Sequence, residues 1–152
     1  MIKLNDILLE SFDWKSHTRG DIYYPPVNLG FTRGMMPQID DQYQATFFRY
    51  LRENRIKFTK RSVHVRDLRP TQTELRVDVA HKLLKSNSTK LKKPIIVSSD
   101  NYLMDGHHRW FAFVLDDPNM KVNVIKVNLP GSKLLDMMNK FDYVGTKTID
   151  NK

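Results

Sequence analysis

Five consecutive residues, Asp105-Gly106-His107-His108-Arg109, gather a carboxylate, two imidazoles and a guanidinium around one glycine. Such a set can hold anionic oxygens and move protons. The stretch follows an apolar run, Pro94 to Val97, a polar link, Ser98 to Asn101, and the short Tyr102-Leu103-Met104. It opens an apolar segment from Trp110 to Leu115. That order predicts a strand pair with a turn at 99–101, a tight glycine turn, then a helix. A helix's first turn leaves backbone N–H groups without partners and carries partial positive charge, so anions settle there. Gly106 lets the main chain turn sharply and approach a ligand, while His107, His108 and Arg109 add donors suited to phosphate oxygens. Residues 105–109 are therefore a candidate phosphate cradle. The plainer alternative is a turn, since Asp-Gly is a common turn dipeptide. Three polar residues opening an otherwise apolar helix favour the cradle.

A shared transition metal is not expected at His107 and His108. Adjacent helical positions point about 100 degrees apart, which suits one ion poorly. Mg²⁺ carried in on phosphates fits better. In the mechanism this implies, the helix start, His107 or His108, and Arg109 stabilise growing phosphate charge, and Asp105 orients a water or hydroxyl nucleophile with Glu74 as a candidate helper.

The elements that must position these residues are legible to different degrees. Residues 41–54 place Tyr43, Phe47, Tyr50 and Leu51 at helical spacing behind Asp40-Asp41 and predict an amphipathic helix. Phe48, Tyr50 and Phe58 lie among cations and could stack on bases, but their place on or beside the apolar stripe reads as core. Ser62 to Arg66 alternates as a half-buried strand, with Val63 and Val65 on one side and His64 and Arg66 on the other. Pro70 breaks the chain. Thr71-Gln72-Thr73-Glu74 has the form of a capping box ahead of Leu75, Val79 and Leu83, which gives Glu74 a sufficient structural role as well as a catalytic one. Val122 to Val127 predicts an edge-compatible strand, and Leu134, Leu135, Met138 and Phe141 a final helix with Ser132 as its cap. The first forty residues are least legible. Ile2, Leu4, Ile7, Leu8 and Phe12 suggest a short helix, and residues 31–39 a lid, a packed arm or an interaction segment.

The net charge of +8 is unevenly placed. Arg49, Arg52, Arg55, Lys57, Lys60, Arg61, Arg66 and Arg69 face only Glu53 and Asp67, so residues 49–69 carry +6 and the rest of the chain +2. A positive field of this kind attracts DNA or RNA in a salt-dependent manner. A solvated surface is the alternative. There is no cysteine. Disulfides, thiolate nucleophiles and cysteine-based zinc sites are excluded. No apolar run is long enough to span a bilayer and no signal-peptide pattern opens the sequence, so a cytoplasmic protein without membrane contact is expected.

The Asp105–Arg109 motif, with Asp67-Leu68-Arg69-Pro70-Thr71-Gln72 some thirty-five residues before it, resembles the ParB/sulfiredoxin superfamily of ParB-like nuclease domains. The resemblance covers about residues 62–128. It implies a nucleotide, ATP or CTP with Mg²⁺, whose phosphates lie over the signature helix. Departures narrow the choice of activity. Sulfiredoxins need a cysteine in the signature. Chromosome-partitioning members carry Gly-Glu-Arg-Arg and a following helix-turn-helix, neither matched here. Free-serine kinases have a closer signature but need a glutamate near the first helix, where this chain has Gln72, with Glu74 a substitute only in another register. Phage-encoded ParB-like proteins are similar in their compactness, which would make the host cytoplasm the compartment.

The sequence thus predicts an α+β fold: a small mixed sheet flanked by helices at residues 61–141, after a helical and irregular extension at 1–60 and before a flexible tail at 142–152. The expected function is a nuclease or NTPase acting on or near DNA. The alternatives are a non-catalytic nucleic-acid- or protein-binding module, or a serine-type kinase. Oligomeric state stays open.

Overall fold

A computed structural model describes residues 13–86, 89–141 and 144–146. The expected helix at residues 2–12 lies outside the described residues. In chain order the elements are β1 (Thr18–Arg19), β2 (Ile22–Tyr23), β3 (Pro37–Ile39), α1 (Gln44–Glu53), β4 (Phe58–His64), β5 (Leu75–Arg76), α2 (Val77–Ser86), β6 (Ile95–Val97), β7 (Leu103–Asp105), α3 (His107–Asp116), β8 (Lys121–Val127), α4 (Gly131–Asn139) and β9 (Val144–Thr146). The fold is α+β. Its central sheet runs β4-β8-β6-β7 and is mixed, with β6 parallel to β8 and the other pairs antiparallel.

Two cores sandwich that sheet. Ile95, Val97, Leu103, Val122 and Val124 point to one face, where α2 and α3 bring Ala80, Trp110, Phe111 and Val114. Ile96, Met104 and Val127 point to the other, where α1 and α4 bring Phe47, Leu51, Leu134, Leu135 and Met138. Strand β6 is covered on both faces, which is why Ile95-Ile96-Val97 is a continuous apolar run and not an alternating one. Phe48, Tyr50 and Phe58 pack against the second core, with Phe48 and Phe58 ring centroids 4.8 Å apart.

Several expectations need correction. Strand β4 begins at Phe58, so the 60/61 boundary falls inside it, and α1 brings Phe47 and Leu51 into the second core. The extension and residues 61–141 share that core. Val65 leaves the strand for a 3-10 turn and is fully buried. Strand β8 is interior, between β4 and β6, because both its flanks find partners. Part of the expected tail is ordered: Val144–Thr146 pairs antiparallel with β3. Helix α2 begins at Val77, not after Thr71, because Leu75 and Arg76 pair with Tyr23 and Ile22 of β2. The Thr71 hydroxyl donates to the Leu103 carbonyl instead, so no capping box forms. Ser132 does not cap α4. Asp100, thirty-one residues earlier, accepts the Gly131 N–H at 2.9 Å through Oδ1.

Candidate functional site

Gly106 turns the chain with φ +90°, a left-handed conformation that strains any residue with a Cβ. Strand β7 ends at Asp105 and α3 starts at His107, so strand, glycine turn and helix follow as the sequence predicts. No side chain caps the start of α3. The first turn opens on a cavity of about 370 Å³ lined by Asp105, Gly106, His107, His108 and Arg109.

Each signature side chain has a specific place. Arg109 folds back over Gly106, where an added Cβ would lie 2.6 Å from its Nη2. Glycine therefore serves both the turn and the room for this guanidinium. Arg109 donates to Asp105 Oδ2 at 3.1 Å, and Gln44 of α1 donates to the same oxygen at 3.4 Å. Their burial is unequal: the Arg109 side chain is 12% exposed and that of Asp105 32%.

The histidines depart from expectation. His107 is 5% exposed, and its Nε2 accepts the backbone N–H of Thr71 at 3.0 Å and, more weakly, that of Gln72 at 3.4 Å. Burial, with His108 alongside as a lesser cause, lowers its pKa to about 3. His107 is thus a neutral acceptor that ties the Thr71–Gln72 loop to α3, so its Nε2 is not the phosphate donor expected of it. His108 Nε2 accepts the Arg76 N–H at 3.2 Å, so that nitrogen does not serve as a phosphate donor either. The two rings go to separate backbone partners. Among the described residues no group of three metal-ligating side chains forms.

Glu74 is exposed and does not line the cavity, since the chain at Leu75–Arg76 is held against β2. It is not placed for catalysis. Gln72, two residues earlier, does line the cavity. It is 5% exposed, and its Oε1 is buried with no hydrogen-bond partner. Its position is fixed by main-chain bonds: Leu29 and Phe31 N–H groups donate to Thr71 O, and Thr73 N–H donates to Phe31 O. The segment after Tyr24 is in that sense an arm packed on the main body, with Met36 fully buried and Met35 exposed.

That arm brings residues the sequence reading missed. Arg33, Gln38 and Asp41 line the cavity from the extension, and Lys93 lines it from the loop before β6. Lys93 pairs with Asp41. Val79 and Leu83 of α2 add an apolar wall. The hint in the sequence was Arg33-Gly34 set among Phe31, Met35 and Met36, an odd composition for a linker.

The basic run does not join this site. Seven of its cations are exposed, and Arg66 is half-buried. Lys60 and Arg61 lie on β4, an edge of the central sheet, on opposite faces. Arg52 sits over the Phe58 ring at 5.1 Å, at the start of that edge. Seven residues of strand span about 20 Å, so Lys60 and Arg61 set a cationic ribbon along that edge, with Arg49 and Arg52 on α1 and Arg66 in the 3-10 turn after the strand.

No family model matches the chain, and no curated protein matches it. Among solved structures, it is similar to one described as the C2221 form of a Pnob8-like ParB-N domain, with 16% identity and a TM-score of 0.41. That similarity covers 55% of this chain and 34% of the other. No helix among the described residues is long and apolar enough to cross a membrane.

Proposed function

We propose that the protein binds a polyphosphate, a nucleotide or a nucleic-acid phosphate, at the start of α3 and acts on it as a hydrolase of the ParB-like nuclease or NTPase kind. The observation that carries this reading is a helix start without a side-chain cap, opening on a cavity that three cations share. Arg33, Lys93 and Arg109 line it, and the Gln72 amide lies there with its Oε1 unpartnered. A helix N-terminus with converging guanidinium and ammonium groups favours phosphate. Gln72 can turn its amide to offer either a donor or an acceptor.

Two of the three cations are held by carboxylates, Arg109 by Asp105 and Lys93 by Asp41. An incoming phosphate competes for Arg109 and loosens Asp105. Both bonds to that carboxylate go to Oδ2. Oδ1 is the oxygen we assign as general base toward a water or hydroxyl nucleophile. ATP or CTP is the proposed guest, with Mg²⁺ arriving on its phosphates. Asp105 and Asp41, lining one cavity, suit an ion held by one or two carboxylates and phosphate oxygens. When bound it supplies charge neutralisation; positioning falls to Arg33, Lys93 and Arg109.

Release of inorganic phosphate from ATP and CTP, and cleavage of end-labelled DNA, should be measured with Mg²⁺ for the native chain, Asp105→Ala and His108→Ala. Activity lost in Asp105→Ala supports the reading. Equal activity in all three removes this mechanism.

A second reading has its own support. Both histidines give Nε2 to backbone N–H groups, and Arg109 and Gln44 hold Asp105 through Oδ2, which favours a site that binds and does not turn over. A non-catalytic phosphate-binding module keeps the same cavity and predicts binding without turnover. The serine-type kinase reading lacks an acid at Gln72 and is the weakest.

A further inference from the structure

A second cavity, of about 190 Å³, shares no lining residue with the signature cavity. Its walls are flat and apolar: Trp14, Tyr23, Pro25 and Trp110 line it, with the half-exposed Val27 at its rim. Two of its polar groups bear on what it could hold. Tyr23 is 4% exposed and packs on Phe111 at 4.8 Å, and its phenol lines the cavity. Burial pushes that phenol up to about 12, so it stays a donor. Arg66 gives Nη1 to Asn119 Oδ1 at 3.3 Å, but its Nε is buried without a partner. A buried donor left unpaired is destabilising, and Arg66 Nε beside a cavity that the Tyr23 phenol also lines points to a guest that brings acceptors.

Planar walls with donors select a flat ring bearing carbonyl or ring-nitrogen acceptors. Arg66 and Arg69 both line this cavity, and in the chain they are the cations that come next after the β4 ribbon. A chain of phosphates along that ribbon would deliver a base to the cavity mouth. Asp13, also in the lining, offers an acceptor for an exocyclic amine. Bases within a duplex are stacked and paired, so the guest must be unpaired.

We infer that the Trp14–Tyr23–Trp110 cavity holds a nucleobase of single-stranded nucleic acid, with Arg66 and Arg69 on the adjoining phosphates. The site is independent of the phosphate chemistry proposed at α3.

The chain has two tryptophans, and both line this cavity, so their fluorescence reads its occupancy directly. A short single-stranded oligonucleotide and a duplex of equal length should be titrated against the full chain, with binding followed in parallel by anisotropy of a labelled strand. The single strand is expected to quench the tryptophans and to bind more tightly than the duplex. Tyr23→Phe keeps the ring that packs on Phe111 and removes only the hydroxyl. This change and Arg66→Gln should each weaken single-strand binding roughly fivefold, as loss of one hydrogen bond does. Lys133→Gln, which removes an exposed charge on α4, should leave the quench unchanged. Equal response to duplex, binding without quenching, or native affinity in Tyr23→Phe and Arg66→Gln together would overturn the inference.

Discussion

His107 carries two roles that a sequence cannot separate, an imidazole at a helix start and an acceptor for a distant loop. Thr71 and Gln72 come from thirty-five residues earlier, and only the folded chain shows that their N–H groups end on Nε2. The ring must stay neutral to accept them. Its folded pKa, about 3, lies below the ordinary 6.5, so the unfolded chain binds the extra proton between those values. This contribution to stability is complete above pH 6.5 and is lost as pH falls toward 3. Urea denaturation across that window should show the native chain weakening with acid. His107→Gln should be less stable at neutral pH and show a flatter acid dependence. Parallel curves for the two proteins would mean the imidazole plays no such part. Gly106 is more legible, because a glycine between a strand and a helix announces a turn. The room it leaves for Arg109 is not announced. Gly106→Ala combines a strained φ with crowding of that guanidinium, and should lower unfolding free energy by about 1–3 kcal/mol in denaturant titrations.

At the scale of elements, periodicity located α1, α3, α4 and most of the central sheet, since each buries an apolar stripe of its own. Where two signals competed, the distant one won. Thr71-x-x-Glu74 is a sound local helix start, but the β2–β5 pairing keeps residues 75–76 extended and delays α2 to Val77. Ser132 is a sound local cap, yet Asp100 supplies the acceptor from another loop, held in turn by the Ser98 hydroxyl. Such partners are invisible to any window of sequence shorter than the loop between them. Asp100→Ala should cost about 1 kcal/mol, the usual worth of a helix cap, in thermal or urea unfolding. Ser132→Ala should cost much less. The reverse ranking would restore the local cap.

Across the whole molecule, the extension is what sequence reading placed least well. It supplies α1 to the second core and carries Arg33, Gln38 and Asp41 to the signature cavity, so a large part of that cavity's wall was unforeseen. The charge ribbon was read correctly as a concentration of cations, but not as an edge strand. Lys60 and Arg61 also discourage edge-to-edge pairing of β4 with another chain, which is a sufficient structural reason for them. Nucleic-acid binding separates the roles. Lys60→Gln with Arg61→Gln should weaken oligonucleotide binding and reduce its log–log salt slope by about 0.7–0.9 for each phosphate no longer neutralised. An unchanged slope would leave the ribbon a solubility device.

The measurement closest to the central claim is a calorimetric titration of the native chain and Arg109→Gln with ATP, CTP and inorganic pyrophosphate, each with Mg²⁺. Saturable binding of at least one of these by the native chain, weakened on the order of tenfold in Arg109→Gln, is the predicted result. No heat of binding from any of the three, or equal affinity in the two proteins, would contradict a phosphate site at the start of α3.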